Sequence, residues 1–317
     1  MNFPVFDLHC DTALNLVGGE GRQAFKFRSN PGHIDLERGK LLPGYCQCFA
    51  CFTTPLMEKW YHRTAREVFQ AELNALNQAL EENADILRQV FTPKDIVQNK
   101  DNSFISALFT LEGTAGIDYD PARLEEVYKL GFRIVSLGWN EKNPLAGSNV
   151  TGGGLTDQGR EFVKEAQRLG ILIDVSHISD EAFWDIMNIT QAPIIATHSN
   201  SRSVCGESRN LTDDMFLEIC RIGGVAGFNQ YAAFIGDPAT MDKASAHFLH
   251  FLELDPDGKH IALGGDLDGC EELTEGFAGV QSYPDLAKYL LSKGLSEQNL
   301  YDIYWNNALG VMERCCI

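Results

Sequence analysis

The sequence predicts an α/β protein of the (β/α)8 TIM-barrel type. Short apolar runs alternate with amphipathic, helix-like stretches along the whole chain. The runs number eight. Polar residues able to hold a metal stand where successive runs end, and the carboxyl ends of parallel barrel strands converge on one mouth. The competing architecture is an open, doubly wound sheet. It would string those tips along an edge, whereas barrel closure brings the last strand beside the first. With 317 residues, 44% of them hydrophobic, the chain can bury a large core. The expectation is one barrel domain over residues 1–317, with the C-terminal helices (about 283–311) packed on it.

The elements follow in order. Pro4 to Leu8 is the first strand, ending at His9 and Asp11. A polar, glycine-containing stretch from Gly18 to Leu42 reads as a loop over the mouth. Tyr45 to Phe52 is the second strand. A long helix follows, with Ala65, Phe69, Leu73, Leu76, Leu80, Ala84 and Leu87 at three-to-four spacing. Phe104 to Leu111 is the third strand, ending at Glu112. Pro121 opens a short helix that stops near Gly131, and Phe132 to Leu137 is the fourth strand. Leu155 to Leu169 is a helix closed by Gly170. Ile171 to Val175 leads to His177, a helix spans about Asp180 to Ile189, and Ile194 to Thr197 leads to His198. Thr212-Asp213-Asp214 caps a helix that ends at Gly223-Gly224. Val225 to Asn229 is the seventh strand, Met241 to Leu252 a helix, and His260 to Leu263 the eighth strand, followed by Asp266. Helices near Tyr283–Leu291 and Glu297–Val311 close the chain.

Composition narrows the partners. A net charge of −18 would repel nucleic acid and anionic membrane. No apolar stretch reaches the ~18 residues of a membrane span. No basic segment followed by a long apolar one precedes the first strand, so the cytoplasm is the expected compartment. Nine irregularly spaced cysteines do not form a disulfide framework. Cys46 and Cys48 alternate along a strand and read as packing residues. Cys10, between His9 and Asp11, should face away from them.

The constellation itself suggests metal chemistry. His9-x-Asp11 offers two ligands from one face of a strand end. Glu112 has two oxygens and could bridge two cations, and His177 and His198 could complete a second site. Such a pair of ions can lower the pKa of a water held between them, and Asp266 would be free to move the proton. His33, His62, His247, His250 and His260 are assigned structural roles. Gly152-Gly153-Gly154 lacks the lysine of a phosphate loop and reads as a turn.

The motifs Asp7-Leu8-His9-Cys10-Asp11, Leu111-Glu112-Gly113, Ile173-Asp174-Val175-Ser176-His177, Thr197-His198-Ser199, Arg209-Asn210-Leu211-Thr212-Asp213 and Gly264-Gly265-Asp266-Leu267-Asp268-Gly269 occur in this order. In that order the chain resembles the membrane (renal) dipeptidase family, zinc metallopeptidases on an amidohydrolase-like barrel. The resemblance covers about residues 5 to 310. It implies two Zn2+ per chain, one on His9 and Asp11, one on His177 and His198, bridged by Glu112 and a water or hydroxide. It implies proton transfer by Asp266 and capture of a substrate carboxylate by Arg209, whose fork suits a carboxylate. Asn210 and Tyr231 match substrate-side positions. Trp139 stands where mammalian members carry a histidine after the fourth strand. An indole donates a hydrogen bond but is neither acid nor base, so that step and the substrate preference would differ.

The resemblance implies amide hydrolysis of small dipeptides, including those with a C-terminal D-residue. A homodimer is compatible with it. Two other readings use the same residues. One is another binuclear amidohydrolase acting on a cyclic amide, an N-acyl amino acid or a lactone. His-x-Asp in place of His-x-His, together with Arg209, speaks against it. The other is a non-catalytic metal-binding barrel, which the full ligand set speaks against.

Overall fold

The computed structural model describes residues 3–18 and 23–316. Within them lie β1 (Val5–Cys10), β2 (Tyr45–Phe52), β3 (Leu87–Gln89), β4 (Ile105–Glu112), β5 (Phe132–Ser136), β6 (Leu172–Asp174), β7 (Ile194–Ala196), β8 (Val225–Phe228) and β9 (Ile261–Leu263). Every pairing among these strands is parallel. The order runs β2-β1-β9-β8-β7-β6-β5-β4, and β2 also pairs with β4 from Tyr45↔Ile105 to Phe52↔Glu112. That pairing closes the barrel. β3 is the extra strand. It lies beside the first half of β4, and β5 takes over that edge from Phe109 onward.

Strands alternate inner and outer side chains. Phe6 and Leu8 of β1, Cys46 and Cys48 of β2, Leu108, Ile134, Leu172, Ile195, Val225 and Ala262 form one buried cluster with Trp305, Val311 and Met312. This is the packed interior, and the C-terminal segment plugs its floor. The second, larger cluster joins the outer strand faces to the helices. Leu87 belongs to it from a strand. The helix that begins with a Thr64/Glu67 capping box ends at Glu82. Asn83 stops it, its side-chain amide donating to Ala79 O at 2.8 Å. One apolar residue at helical spacing cannot tell a last turn from a short strand, so Leu87 reads as helical from sequence yet opens β3. The helix Pro93–Asp101 has no run of apolar residues, but a Thr92/Asp95 capping box and a proline in its first turn mark it. The last helix is also not continuous. A π turn at Asp302–Asn306 separates Glu297–Tyr301 from Asn307–Cys315. It buries Tyr304 and Trp305 together.

The stretch expected as a loop over the mouth includes a short helix, Leu36–Gly39, capped by Asp35. Residues 19–22 of that stretch lie outside the described residues. All nine cysteines are free thiols. Burial pushes the Cys46 and Cys48 thiols well up, as suits packing groups.

Candidate metal centre

β1 does not simply alternate up to its end. Asp7 pairs with Gln47 but Cys10 with Phe49, so β1 carries one extra residue there. The bulge lets His9 follow the inward Leu8, while Cys10 joins the outer cluster. Asp7 holds this bend. Its Oδ1 accepts from His9 N at 2.9 Å and Gly265 N at 3.0 Å, and its Oδ2 is bonded to the Tyr283 hydroxyl. Asp174 does the same between β6 and β7. It accepts from Ser176 N and Thr197 N at 2.9 Å each and from Thr197 Oγ1 at 2.6 Å. Both aspartates thus fix the chain that presents a histidine at the mouth.

His9, Asp11, Glu112, His177, His198 and Asp266 all come together there. Glu112 lies at the centre, and its two oxygens face different partners. Oε2 is 3.5 Å from His9 Nε2. Oε1 is 3.0 Å from His177 Nε2 and 3.6 Å from His198 Nε2. His9 Nε2 is 3.4 Å from Asp11 Oδ2 and 4.0 Å from Asp266 Oδ1. The Nε2 atoms of His177 and His198 are 3.0 Å apart. His9 and His198 stack with ring centres at 3.8 Å. The other imidazole nitrogens are taken. His177 Nδ1 meets Asn140 Oδ1 at 2.9 Å, and His198 Nδ1 meets Thr197 Oγ1 at 2.6 Å. A tautomer fixed in this way turns each Nε2 lone pair toward the cluster.

These residues fit a metal on chemical grounds. His9 Nε2 and Asp11 Oδ1 are buried without a hydrogen-bond partner. Burial pushes the Glu112 carboxyl up to about 7, with His9 opposing and Asp11 adding to the rise. Burial, with the charges of His9 and Arg209, holds the imidazoles of His177 and His198 well below 6.5, so both are neutral donors. Crowded buried carboxylates beside the two neutral imidazoles of His177 and His198 are the donor set a cation takes.

The mouth also holds backbone strain. His177, Asp266 and Asp268 have φ of 72°, 55° and 67°, a conformation that costs non-glycine residues about 1–3 kcal/mol each. Two glycines are dictated here. Gly113 has φ +73° and its Cβ would strike Thr53 O. A Cβ on Gly269 would strike the Asp11 and Asp266 carboxylates.

Around the cluster, Arg209 is 5% exposed. Its Nη1 donates to Ser199 Oγ at 2.7 Å, while Nε and Nη2 have no hydrogen-bond partner. Asp266 is oriented by Asn229, whose Nδ2 donates to Oδ2 at 3.0 Å; burial pushes its carboxyl up. The Asn210 amide serves its loop, donating to Cys205 O at 2.9 Å and Phe234 O at 3.0 Å. Tyr231 lies at the rim against Phe234, ring centres 4.9 Å apart. Trp139 stands 6.0 Å from the His177 ring and 5.8 Å from Trp60. Sequence pattern alone does not mark Asn140, Asn229, Asp7, Asp174 or Trp60 as site residues. The readable signal for Asn229 is its place directly after β8, and for Asn140 its place in the segment that follows β5.

Fold and site define the class: a (β/α)8 barrel whose carboxyl-end mouth carries an imidazole–carboxylate cluster able to hold metal. The profile of the membrane dipeptidase family, peptidase family M19, matches residues 1–315, and the chain belongs to that family. An uncharacterised dipeptidase of Schizosaccharomyces pombe is 35% identical over 214 residues, 65% of this chain and 52% of that protein. The chain thus spans about half the length of that relative. An uncharacterised protein of Klebsiella pneumoniae is 30% identical over 261 residues, 78% of this chain and 96% of that one. A Rhodobacter sphaeroides metallo peptidase, solved with a phosphinate mimic of the dipeptide L-Ala-D-Ala, superposes with TM-score 0.88 at 25% identity. The match covers 99% of this chain and 100% of that one. No helix among the described residues is long and apolar enough to cross a membrane.

Proposed function

We propose that this chain is a zinc-dependent dipeptidase that hydrolyses the amide bond of small dipeptides, including those with a C-terminal D-residue. Glu112 carries the reading. One of its oxygens faces His9 and the other faces His177 and His198, as a carboxylate bridging two Zn2+ ions would. His9 and Asp11 would hold one ion, His177 and His198 the other. Two ions held there would polarise the scissile carbonyl and lower the pKa of the attacking water.

The chain's own groups do the rest. Asp266 takes the proton from the attacking water and delivers it to the departing amine nitrogen. Asn229 aims the carboxylate for both transfers. Arg209 has two unpartnered donors, and they would bind the substrate's C-terminal carboxylate. That pairing limits the substrate to one residue beyond the scissile bond. Acceptance of a C-terminal D-residue is supported by the L-Ala-D-Ala mimic bound to the Rhodobacter sphaeroides relative. Trp139 and Tyr231 would flank the substrate, and Asn210 would shape the loop that carries Arg209.

The test compares free and C-terminally amidated dipeptides across L,L-, L,D- and D,D-forms. Amidated forms should be poor substrates, and Arg209→Ala should narrow the gap. Loss of a charge-assisted hydrogen bond costs about 1.5–3 kcal/mol, roughly ten- to hundredfold in kcat/KM. If the ratio of free to amidated substrate is unchanged in the variant, Arg209 does not bind the carboxylate. Activity on cyclic amides or lactones but on no dipeptide would replace the reading altogether.

A further inference from the structure

We propose a separate metal site at the opposite end of the barrel, in which Cys220, Asp255 and His260 hold a zinc-class cation. Donor atoms of the three lie within 4.8 Å of one another. Sulfur, imidazole nitrogen and carboxylate oxygen are the donors such an ion takes, with a solvent molecule as the remaining ligand.

The fold brings them together at the amino ends of the strands. Cys220 lies in the last turn of the helix Asp213–Arg221, which leads into β8. Asp255 follows the helix Met241–Leu254 as its C-cap, and His260 immediately precedes β9. Two helix C-termini therefore converge on the site, and each carries partial negative charge that favours a cation. All three residues are half-buried, sheltered yet reachable from solvent.

The hydrogen bonds are those of a prepared ligand set. His260 Nδ1 is 2.7 Å from Gly224 O, so the ring proton sits there and the other nitrogen keeps its lone pair. Asp255 Oδ2 accepts from His260 N at 2.9 Å, which fixes the carboxylate beside the ring. Burial and the Asp255 charge push the Cys220 thiol up to about 12. Coordination replaces its S–H bond with an S–metal bond and releases the proton to solvent. The ion would tie both helix ends to the β8–β9 pair, at the barrel face that serves stability rather than catalysis.

Cobalt(II) separates this site from the mouth. The mouth cluster is built from nitrogen and oxygen donors only, so a sulfur-to-cobalt charge-transfer band in the near ultraviolet reports a thiolate ligand. The full chain is stripped with a chelator and titrated with cobalt(II). The parent should develop the band, with an amplitude that corresponds to about one thiolate-bound cobalt(II) per chain in addition to the ions taken up at the mouth. Cys220→Ser should lose it and His260→Gln should weaken it, with dipeptide hydrolysis unchanged in both. If Cys220→Ser does not fold, Asp255→Asn and His260→Gln read the same band. No band in the parent at excess cobalt(II), or a band that survives in Cys220→Ser or in both other variants, overturns the site. A band in a protein that hydrolyses no dipeptide would leave this site standing and reject the mouth chemistry alone.

Discussion

The two ends of the barrel interior are built on opposite terms. At the floor, Phe6, Cys46, Leu108 and Trp305 are fully or almost fully buried and apolar. At the mouth, buried carboxylates crowd one another, His9 Nε2 and Asp11 Oδ1 lack partners, and three non-glycine residues have positive φ. Apolar burial stabilises at roughly 25 cal/mol per Å2, whereas the crowded carboxylates and unpartnered atoms of the mouth cost free energy without a bound cation and the positive φ values cost it in either state. The floor holds the fold; the mouth is tolerated because the floor does.

The largest expected effect tests that contrast directly. Glu112→Gln removes the carboxylate whose two oxygens face His9 on one side and His177 and His198 on the other. It should lose bound metal and several kcal/mol of transition-state stabilisation, on the order of 10⁴-fold in kcat/KM. Metal-free Glu112→Gln should unfold no more easily than the metal-free parent, because a buried, crowded carboxylate is gone. Elemental analysis and thermal melts check both. A much less stable variant would mean that the mouth contributes to the fold after all. Chelation of the parent should likewise abolish hydrolysis.

Asp266→Asn keeps the shape and the Asn229 contact but cannot carry the proton. It should retain metal and lose roughly 10²–10⁴-fold in kcat. Near-normal kcat would remove Asp266 from proton transfer, and loss of metal would make it a ligand. At the floor, Trp305→Ala should cost about 3–5 kcal/mol of stability through the cavity it leaves, with kcat of the folded protein unchanged. A fall in kcat at full folding would show that the floor reaches the chemistry.

The same contrast explains what the sequence discloses. His9, Asp11, Glu112, His177, His198 and Asp266 are legible because each ends or follows an apolar run, and barrel closure converts those ends into one mouth. The extra strand is not legible, although the meeting of the last strand with the first is. Leu87–Gln89 is too short for any periodicity to mark it, and β2 pairs with β4 directly. The β1 bulge is invisible too, since it exists only as a register against β2. Orienting groups are hidden by sequence distance. Asn229 lies 37 residues from Asp266, and Asn140 lies 37 from His177. An isolated asparagine carries no pattern until the fold pairs it.

The smallest effect concerns His247, which lies between the two regimes. It sits on the inner side of the helix Met241–Leu254 and is fully buried. Its Nδ1 accepts from Ser201 N at 3.1 Å, in the segment that follows His198, and its Nε2–H donates to Ile235 O at 3.1 Å. Burial lowers its pKa from 6.5 to about 4. Below 6.5 the unfolded chain takes up a proton here that the folded chain refuses, so acid favours unfolding. The contribution to stability is complete above 6.5 and is lost as pH falls toward about 4. Between pH 7 and pH 5 that amounts to about 2 kcal/mol. Urea denaturation of metal-free parent and metal-free His247→Gln at the two pH values isolates it, because protonation of the mouth histidines is common to both proteins. The parent should lose about 2 kcal/mol more than the variant on acidification. Equal losses would mean that His247 is protonated in the fold, and that the loop behind His198 is as permissive to charge as the mouth it supports.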